Sequence, residues 1–338
     1  MTSAAGGVLD SARSRVEPAM RAAIARLDPA NRAVAEYHLG YADVDGNPVS
    51  DPGGKGVRGA LALLSAQAAG AAPEVGVPAA VACELVHNFS LLHDDIMDAD
   101  TTRRHRATAW TVFGTSAAIL AGDAMLGLAT EVLAEAEAPT VPWAVRCLSS
   151  ATRRLIAGQA ADLDFESDTA VSLEQCRDMA AGKTGALLAC AASLGSVLAD
   201  APAALTMSLA DFGYHVGMAF QLVDDLLGIW GAAERTGKPV ASDLASRKKS
   251  LPVVAAMVAG GPHAERLAEL YAQDGSLSEA ELAEAAAAVE AAGGRAWTLA
   301  EAERETAEAL AILDELPLTA QVREDLVAVT RMLCGRDH

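Results

Sequence analysis

The chain has 338 residues and a formal net charge of −19 at pH 7. This excess of negative charge repels nucleic acids and anionic lipid surfaces, so we expect no nucleic-acid partner. Hydrophobic residues make up 51% of the chain and aromatic residues only 4%. Because alanine, leucine and glutamate recur throughout while β-branched runs are few, the composition predicts an all-α protein.

The cysteines and the apolar stretches predict where the protein works. The five cysteines are widely spaced in apolar contexts: Cys83, Cys147, Cys176, Cys190 and Cys334. Their odd number and spacing fit neither a disulfide framework nor a zinc site, which indicates buried thiols in a reducing cytoplasm. The N-terminal residues lack the pattern of a secretory signal. Since Asp123 interrupts the most apolar stretch, 117–128, we expect a cytoplasmic protein with no transmembrane segment.

Turn signals divide the chain into segments of helix length. Glycine and proline cluster first in the loop 45–54 and then at further breaks near 72–73, 138–139, 201–202, 260–262, 293–294 and 316–317. The composition does not change along the chain enough to place a domain boundary. The pattern therefore predicts a large helical bundle that forms a single domain over 1–338.

The first candidate site is the glycine-rich basic loop GGKGVR at 53–58. Its backbone N–H groups, with the side chains of Lys55 and Arg58, suit an anion that is bound without a metal. The loop lacks the Ser or Thr of a nucleotide-binding P-loop. Taken alone, the sequence of this loop is equally typical of a plain connector.

The second candidate is a predicted helix that begins near Val81 and ends in acidic residues. Asp94 and Asp98 are four residues apart, which places them on one helix face with Cβ atoms about 5 to 6 Å apart, and Asp95 adjoins them. Mg²⁺ is commonly held by one or two carboxylates and the phosphates of a substrate, so this spacing indicates a Mg²⁺ site. A solvated acidic helix end is the alternative. His87, on the same face, either joins an anion site or is structural.

Basic residues follow each of two acidic clusters. Arg103, Arg104 and Arg106 come shortly after Asp98, and arginine side chains bind phosphate oxygens bidentately. Salt bridges to the nearby aspartates are the alternative that needs no ligand. A second predicted apolar helix also ends in acidic residues and is followed by basic ones. The polar and charged residues of this region, in chain order, are Gln221, Asp224, Asp225, Lys238, Asp243, Arg247, Lys248 and Lys249. The repeated order predicts one shared site for a polyanion.

Seven motifs in one order resemble the trans-isoprenyl diphosphate synthases, the polyprenyl synthetase family that includes farnesyl and geranylgeranyl diphosphate synthases. They lie within 53–252 and read GGKGVR, ELVHNFSLLHDDIMDADTTRR, ILAGDAML, GQAADLDF, GKTGALL, FQLVDDLLG and TGKPVASDLASRKKSLP. The resemblance implies a helical bundle of the isoprenoid synthase type with a central active-site cavity. It also implies a homodimer and a Mg²⁺-dependent prenyltransferase that condenses isopentenyl diphosphate with a C5 to C15 allylic diphosphate.

The resemblance also implies a role for individual residues. Four would hold the diphosphate of isopentenyl diphosphate: Lys55, Arg58, His87 and Arg104. Arg103 would contact the allylic diphosphate. Three Mg²⁺ ions would be held by Asp94 and Asp98 with Asp224, within metal motifs that also contain Asp95 and Asp225. The residues implied to add positive charge are Lys183, Lys238 and Lys248, and those implied to support the metals are Gln159 and Asp162.

The prenyl transfer that the resemblance implies explains why the candidate site contains so many charged residues. The C1–O bond of an allylic diphosphate must break, leaving a carbocation and a polyanionic leaving group that metals and cations stabilise. The double bond of isopentenyl diphosphate then attacks C1, and the released diphosphate takes the proton that completes the product. Thr184 and Gln221, by the same resemblance, stabilise the cation with oxygen dipoles while apolar walls exclude water.

The chain differs from the family pattern at two places, and one residue is implied to limit the length of the product. Gly228 stands where the second metal motif usually has its third aspartate, and His105 and Ala107 stand where the family commonly has Gly and Pro. Phe89, five residues before Asp94, is the implied floor of the product pocket, with ordinary core packing as the alternative. Because Ser90 beside it is small, the pattern implies a C20 product, with C15 second and longer chains third.

Two other functions remain in competition. A class I terpene cyclase also ionises prenyl diphosphates with Mg²⁺, but the residues after Asp224 lack the later ligands of its second motif, and the basic residues around Lys55 would have no role. A non-catalytic partner subunit of another synthase is supported only by Gly228. The intact basic and acidic motifs argue against that loss of activity.

Overall fold

The computed structural model describes residues 4–49, 54–168, 170–231 and 240–335. Helices make up most of these residues, and the only strands among them are two of two residues each, so the predicted all-α class is confirmed. The chain divides into two compact units, which are described separately below. Unit 1 comprises 1–152, 187–210 and 316–329, and unit 2 comprises 153–186, 211–315 and 330–338. The single domain over 1–338 stays a prediction.

The first part of the chain forms six α-helices and a short ribbon. The helices are α1 (Ala4–Ile24), α2 (Pro29–Leu39), α3 (Val57–Ala68), α4 (Val77–Met97), α5 (Ala109–Phe113) and α6 (Thr115–Ala134). A 3₁₀ turn at Pro73–Gly76 precedes α4. Between α4 and α5, the two-residue strands β1 (Thr102–Arg103) and β2 (Arg106–Ala107) pair antiparallel.

The rest of the described chain is also helical. The helices are α7 (Val141–Ser167), α8 (Leu173–Ala180), α9 (Ala186–Leu198), α10 (Ala203–Trp230), α11 (Ser242–Ala245), α12 (Leu251–Ala259), α13 (Gly261–Tyr271), α14 (Glu279–Ala291), α15 (Gly294–Glu315) and α16 (Ala320–Cys334). One turn of π-helix, Ala181–Gly185, joins α8 to α9.

Helix α4 is the core of unit 1 and carries the first acidic motif at its C-terminal end. Leu85, Val86 and Leu92 on this helix are at most 1% exposed, and the helix packs against α3 and α6. The proline at its first turn suits a helix start, because the missing N–H would have no intrahelical partner there. Burial of the apolar body fixes the position of the polar end.

Unit 2 has its own core, on which the second acidic motif rests. Met218, Leu222 and Val223 of α10 pack with Leu251 of α12 and with Phe165 of α7. Further buried side chains of α10 to α14 extend this packing. The C-terminal turns of α10 are thereby held against the start of α12.

Three stretches are long and apolar enough to cross a membrane: 73–97, 115–134 and 173–198. The expectation that no apolar stretch reaches this length is therefore wrong, because an isolated charge such as Asp123 leaves the surrounding stretch apolar. The most apolar windows of the first and third stretches are 67% and 83% buried, as core helices are, and that of 115–134 is 39% buried. The absence of a transmembrane segment stays a prediction.

All five cysteines are free thiols. Cys83, Cys176 and Cys190 are buried, which confirms the expectation for these three, whereas Cys147 and Cys334 are partly exposed. Burial raises the pKa of Cys147 to about 11 and raises that of Cys176 still further. These thiols are therefore protonated and unreactive at neutral pH.

Candidate functional site

The first acidic motif lies where α4 ends. Asp94 and Asp95 are in the last turn of the helix, and Asp98 caps it, donating its backbone N–H to the Asp94 carbonyl over 2.8 Å. Asp98 is exposed, Asp94 is half-buried and Asp95 is buried. The three carboxylates therefore differ in their access to solvent, which their spacing in sequence does not reveal.

The ribbon after α4 presents the arginine pair. Arg103 pairs with Arg106 across the ribbon, and the two residues of its turn, Arg104 and His105, have positive φ angles of 51° and 61°. Two such residues form the tight hairpin that matches the twist of paired strands. His105, where the family commonly has Gly, thus adopts the backbone conformation that glycine adopts most easily. Arg103 donates from Nε to Oδ1 of Asp95 over 2.6 Å.

The basic loop precedes α3 in the same unit. Gly54 has a φ of 103°, and a Cβ built on it would lie 3.1 Å from Nη1 of Arg104, so the glycine admits the guanidinium group. Lys55 is exposed and Arg58 is half-buried, with an Nε atom that has no hydrogen-bond partner among the described residues. The structure thus brings the loop close to Arg104. The shared diphosphate site that the resemblance implies stays a prediction.

Two histidines lie among these arginines in unit 1. Burial, then the charge of Arg58, holds the pKa of His87 well below its ordinary value. Burial, then the charges of Arg103 and Arg104, lowers the pKa of His38 to about 3. Both rings are neutral at pH 7, so they are hydrogen-bonding groups rather than cations. His38 is the residue that sequence reasoning missed here, because the segment before the loop carries no recognisable motif.

Phe89 and Ser90 lie on the buried part of α4. Phe89 is 5% exposed and its ring meets the edge of His93 at a centroid distance of 5.0 Å. The Ser90 hydroxyl donates to the His87 carbonyl over 2.8 Å, so it is satisfied within its own helix. The packing of Phe89 agrees both with the floor of a product pocket and with ordinary core packing. Its role in limiting product length stays a prediction.

The second acidic motif lies near the end of α10 in unit 2. Asp224 is exposed, whereas Asp225 is buried and accepts hydrogen bonds from Nε2 of Gln221 at 2.6 Å and from the Leu251 backbone at 2.9 Å. Burial raises the pKa of Asp225 to about 7, although Lys248 acts in the opposite direction. The two adjacent aspartates therefore present different chemistry, with Asp224 the accessible one.

The motif GKTG forms the π-helical turn after α8. Thr184 donates from Oγ1 to Oε1 of Gln221 over 2.5 Å, so the two residues expected to act together are in contact. Gln221 in turn holds Asp225. Single π-helical turns often occur at functional sites, since the extra residue redirects side chains.

Two lysines converge on Asp162 of α7. Lys183 lies 2.6 Å from Oδ2 of Asp162, and Lys248 lies 3.6 Å from the same atom. Burial alone would raise the pKa of Asp162, but the two ammonium groups outweigh it and lower that pKa. Gly158 allows this arrangement, because a Cβ there would lie 2.2 Å from the Lys183 backbone nitrogen.

Some residues of the predicted motifs lie outside the part of the chain that the structure describes. Lys238 lies outside the described residues, as does Gly53 of the basic loop. The first acidic motif belongs to unit 1 and the second to unit 2. The sequence alone assigns no role to Asp243. The available signal is that residue 228 lacks a carboxylate and that an aspartate, Asp243, follows later in the chain.

The side chains of the candidate site limit which metal ion it could hold. Within the described part of the chain, no three His, Cys, Asp or Glu side chains lie close enough to enclose an ion. This fits Mg²⁺, which commonly takes one or two carboxylates and completes its shell with water and phosphate oxygens. Gln159 in unit 2 is 6% exposed, and neither atom of its amide has a hydrogen-bond partner there. Since an unsatisfied buried amide costs about 1–3 kcal/mol, it indicates a polar occupant beside it.

Similarity to known proteins extends over most of the chain. Residues 47–289 match the family model described as Polyprenyl synthetase. The chain is 48% identical over 332 residues to a (2E,6E)-farnesyl diphosphate synthase of Mycobacterium tuberculosis (strain ATCC 25618 / H37Rv), covering 97% of this chain and 92% of that protein. It is 39% identical over 331 residues to a geranylgeranyl diphosphate synthase of the same strain, covering 98% and 93%.

A solved structure gives the same result for the fold. The chain superposes on the crystal structure of a polyprenyl synthetase from Streptomyces coelicolor A3(2) with a TM-score of 0.92. The two are 51% identical, and the match covers 97% of this chain and 98% of the other.

Proposed function

The chain belongs to the polyprenyl synthetase family and is a prenyltransferase, and we propose that it joins isopentenyl diphosphate to an allylic diphosphate with Mg²⁺. The observation that carries this proposal is how the basic and acidic side chains of each unit differ in charge and burial. Arg104 lies against the basic loop of unit 1, and the charge of Arg58 in that loop reaches the neutral His87. Each acidic motif keeps one accessible carboxylate beside a buried one.

Asp94 and Asp98 in unit 1 and Asp224 in unit 2 are the proposed Mg²⁺ ligands. When bound, Mg²⁺ neutralises the charge that develops on the departing diphosphate. Asp95 and Asp225 act within the same motifs by fixing Arg103 and Gln221 respectively. Lys183 and Lys248 add positive charge beside Asp162 for the leaving group, and Lys238 is proposed to do the same from outside the described residues.

Lys55, Arg58, His87 and Arg104 are proposed to hold the diphosphate of isopentenyl diphosphate. The neutral state of His87 matters, because an imidazole with a depressed pKa donates a hydrogen bond without adding charge. Arg103, held by Asp95, contacts the allylic diphosphate. Thr184 and Gln221, hydrogen-bonded to each other, place oxygen dipoles toward the allylic cation.

A C20 product is proposed, because the floor at Phe89 is followed by the small Ser90. A C15 product is the second candidate, favoured by the higher identity to the farnesyl relative, 48% against 39% for the geranylgeranyl relative. A cytoplasmic homodimer is part of the proposal. Its support is that exposed apolar side chains such as Ile119 and Leu120 lie on α6, where a second copy would cover them.

The test is to supply the purified chain with Mg²⁺, isopentenyl diphosphate and one allylic primer of C5, C10 or C15, then to size the dephosphorylated products. Products ending at C20 from every primer are expected. Products that stop at C15, with no elongation of the C15 primer, would replace the C20 proposal by the C15 one. No elongation of any primer would contradict the function.

A further inference from the structure

Gly228 and Asp243 share one small volume in unit 2. Gly228 lies one turn after Asp224 on α10, at the place where the resemblance implies a third aspartate. A Cβ built on Gly228 would lie 2.2 Å from Oδ2 of Asp243 and 2.4 Å from its Cγ. Real Cβ atoms essentially never come within 3.0 Å of such atoms. Any side chain at 228 would therefore displace the Asp243 carboxylate.

The short helix α11 holds Asp243 in this position. The Asp243 carbonyl accepts hydrogen bonds from the Lys248 backbone at 2.8 Å and from Oγ of Ser246 at 3.2 Å. Two non-glycine residues flank the turn in the left-handed region, Ala241 with a φ of 59° and Arg247 with a φ of 52°. This conformation is unfavourable for a residue with a side chain and persists where the surrounding structure imposes it. The position of Asp243 is thus determined by its own loop as well as by the gap at Gly228.

The charge of Asp243 reaches the buried aspartate of the motif. Asp243 lies close enough to the buried Asp225 for the two carboxylates to repel each other. Asp243 also adds to the rise in the pKa of Tyr271 that burial causes. The Asp243 carboxylate therefore lies in the electrostatic environment of the second acidic motif.

We propose that Asp243 supplies, from α11, the carboxylate that α10 lacks at residue 228, and that Gly228 is the residue that admits it. Asp243 would then bind the same Mg²⁺ ion as Asp224. Two carboxylates at one ion agree with the one or two that Mg²⁺ commonly takes. This inference rests on the proposed function, since that function supplies the ion. It also accounts for Gly228 without any loss of activity.

A purely structural role for Asp243 makes a different prediction. An aspartate in the first turn of a helix is stabilised by the helix dipole. Replacing it would then lower the stability of the fold and leave metal binding unchanged. Metal binding, measured apart from catalysis, separates the two roles.

The experiment measures how inorganic pyrophosphate binds to the full chain by calorimetry over a series of Mg²⁺ concentrations. Asp243→Asn removes the charge at nearly constant size, and Gly228→Ala displaces the carboxylate with a single methyl group. Controls are Asp211→Asn, at an exposed site of α10, and Gly127→Ala, where a Cβ would meet nothing within 4 Å. Both test variants are expected to need roughly 10- to 100-fold more Mg²⁺, and both controls are expected to match wild type.

A double variant guards against misfolding of the single ones. Gly228→Asp with Asp243→Gly returns the carboxylate to α10 and should restore much of the Mg²⁺ response lost in Asp243→Asn. Wild-type Mg²⁺ dependence in both Asp243→Asn and Gly228→Ala, with a loss in Asp224→Asn, would overturn this inference alone. No Mg²⁺-dependent pyrophosphate binding by the wild-type chain would overturn the inference together with the proposed metal site.

Discussion

Nε of Arg103 lies 2.6 Å from Oδ1 of Asp95, in an ion pair whose carboxylate side chain is only 2% exposed. This pair lies between the end of α4 and the first strand of the ribbon, so it fixes an arginine expected to bind substrate. It also separates the members of the first acidic motif. Asp95 orients Arg103, while Asp94 and Asp98 remain the candidates for the metal.

Replacing Arg103 by Gln should destabilise unit 1 even without substrate. The change leaves a buried carboxylate without its cation, and we expect a loss of about 1–3 kcal/mol in the free energy of unfolding, less than for a fully buried pair because Arg103 is partly exposed. Urea denaturation measures this loss. Arg153→Gln, at an exposed arginine of α7, is the control, and an equal loss in both variants would count against the ion pair.

His38 should make the stability of the fold depend on pH. Its pKa is about 3 in the folded chain and about 6.5 in an unfolded chain, so the unfolded state binds the proton first as the pH falls. The stability that neutral His38 contributes is therefore complete above about pH 6.5 and is lost progressively toward pH 3.

The test compares urea midpoints of wild type and His38→Gln at pH 7.5, 6 and 5. The variant should lose less stability than wild type over this range, because it has no histidine to protonate. His263→Gln, at an exposed position, should follow wild type. Parallel pH profiles for His38→Gln and wild type would refute the assignment of His38 as a buried neutral group.

Phe89 should set the length of the product. Phe89→Ala removes the proposed floor, so products longer than C20 are expected from the same primers. The change also opens a cavity that costs about 3–5 kcal/mol, and Phe89→Leu gives a milder version. Phe113→Ala, which removes a ring packed on Tyr37 elsewhere in unit 1, should leave product length unchanged. An unaltered product distribution in both Phe89 variants would assign this ring to core packing alone.

Lys183 should matter for the chemical step. Lys183→Gln removes a cation held 2.6 Å from Asp162, and we expect kcat to fall by about 10²–10³, as for the loss of one transition-state donor. Arg153→Gln is the control, because Arg153 is an exposed cation of α7 to which no role at the site is assigned. Steady-state kinetics of elongation measure both, and a KM effect without a kcat effect would show that Lys183 only binds substrate.

Much of the fold and many of the site residues are predictable from the sequence. The all-α class follows from composition, and the i, i+4 spacing of Asp94 and Asp98 places them at one helix end. The shared role expected of Thr184 and Gln221 follows from the family resemblance, whereas their hydrogen bond is seen only in the structure. These features depend on local periodicity or on motifs that are short and continuous in sequence.

Other features depend on packing between segments that are distant in sequence. The different burial of Asp224 and Asp225 requires the start of α12 to lie beside α10. The neutrality of His38 requires its burial in the fold and, second to that, the charges of arginines from another element. The stretch 115–134 is apolar enough to cross a membrane despite the charge of Asp123, because one charged residue has little effect on the hydropathy of a long helix. The relation of Gly228 to Asp243 requires a loop whose course the sequence alone does not reveal.

The most direct test of the proposed reaction is the stoichiometry of diphosphate release. The chain is mixed with Mg²⁺ and geranyl diphosphate, with or without isopentenyl diphosphate, and both the released diphosphate and the prenyl product are measured. We predict one diphosphate for each isopentenyl unit added, and no release in EDTA. Diphosphate release from geranyl diphosphate alone, with a cyclic hydrocarbon as product, would contradict the prenyltransferase mechanism and indicate a cyclase.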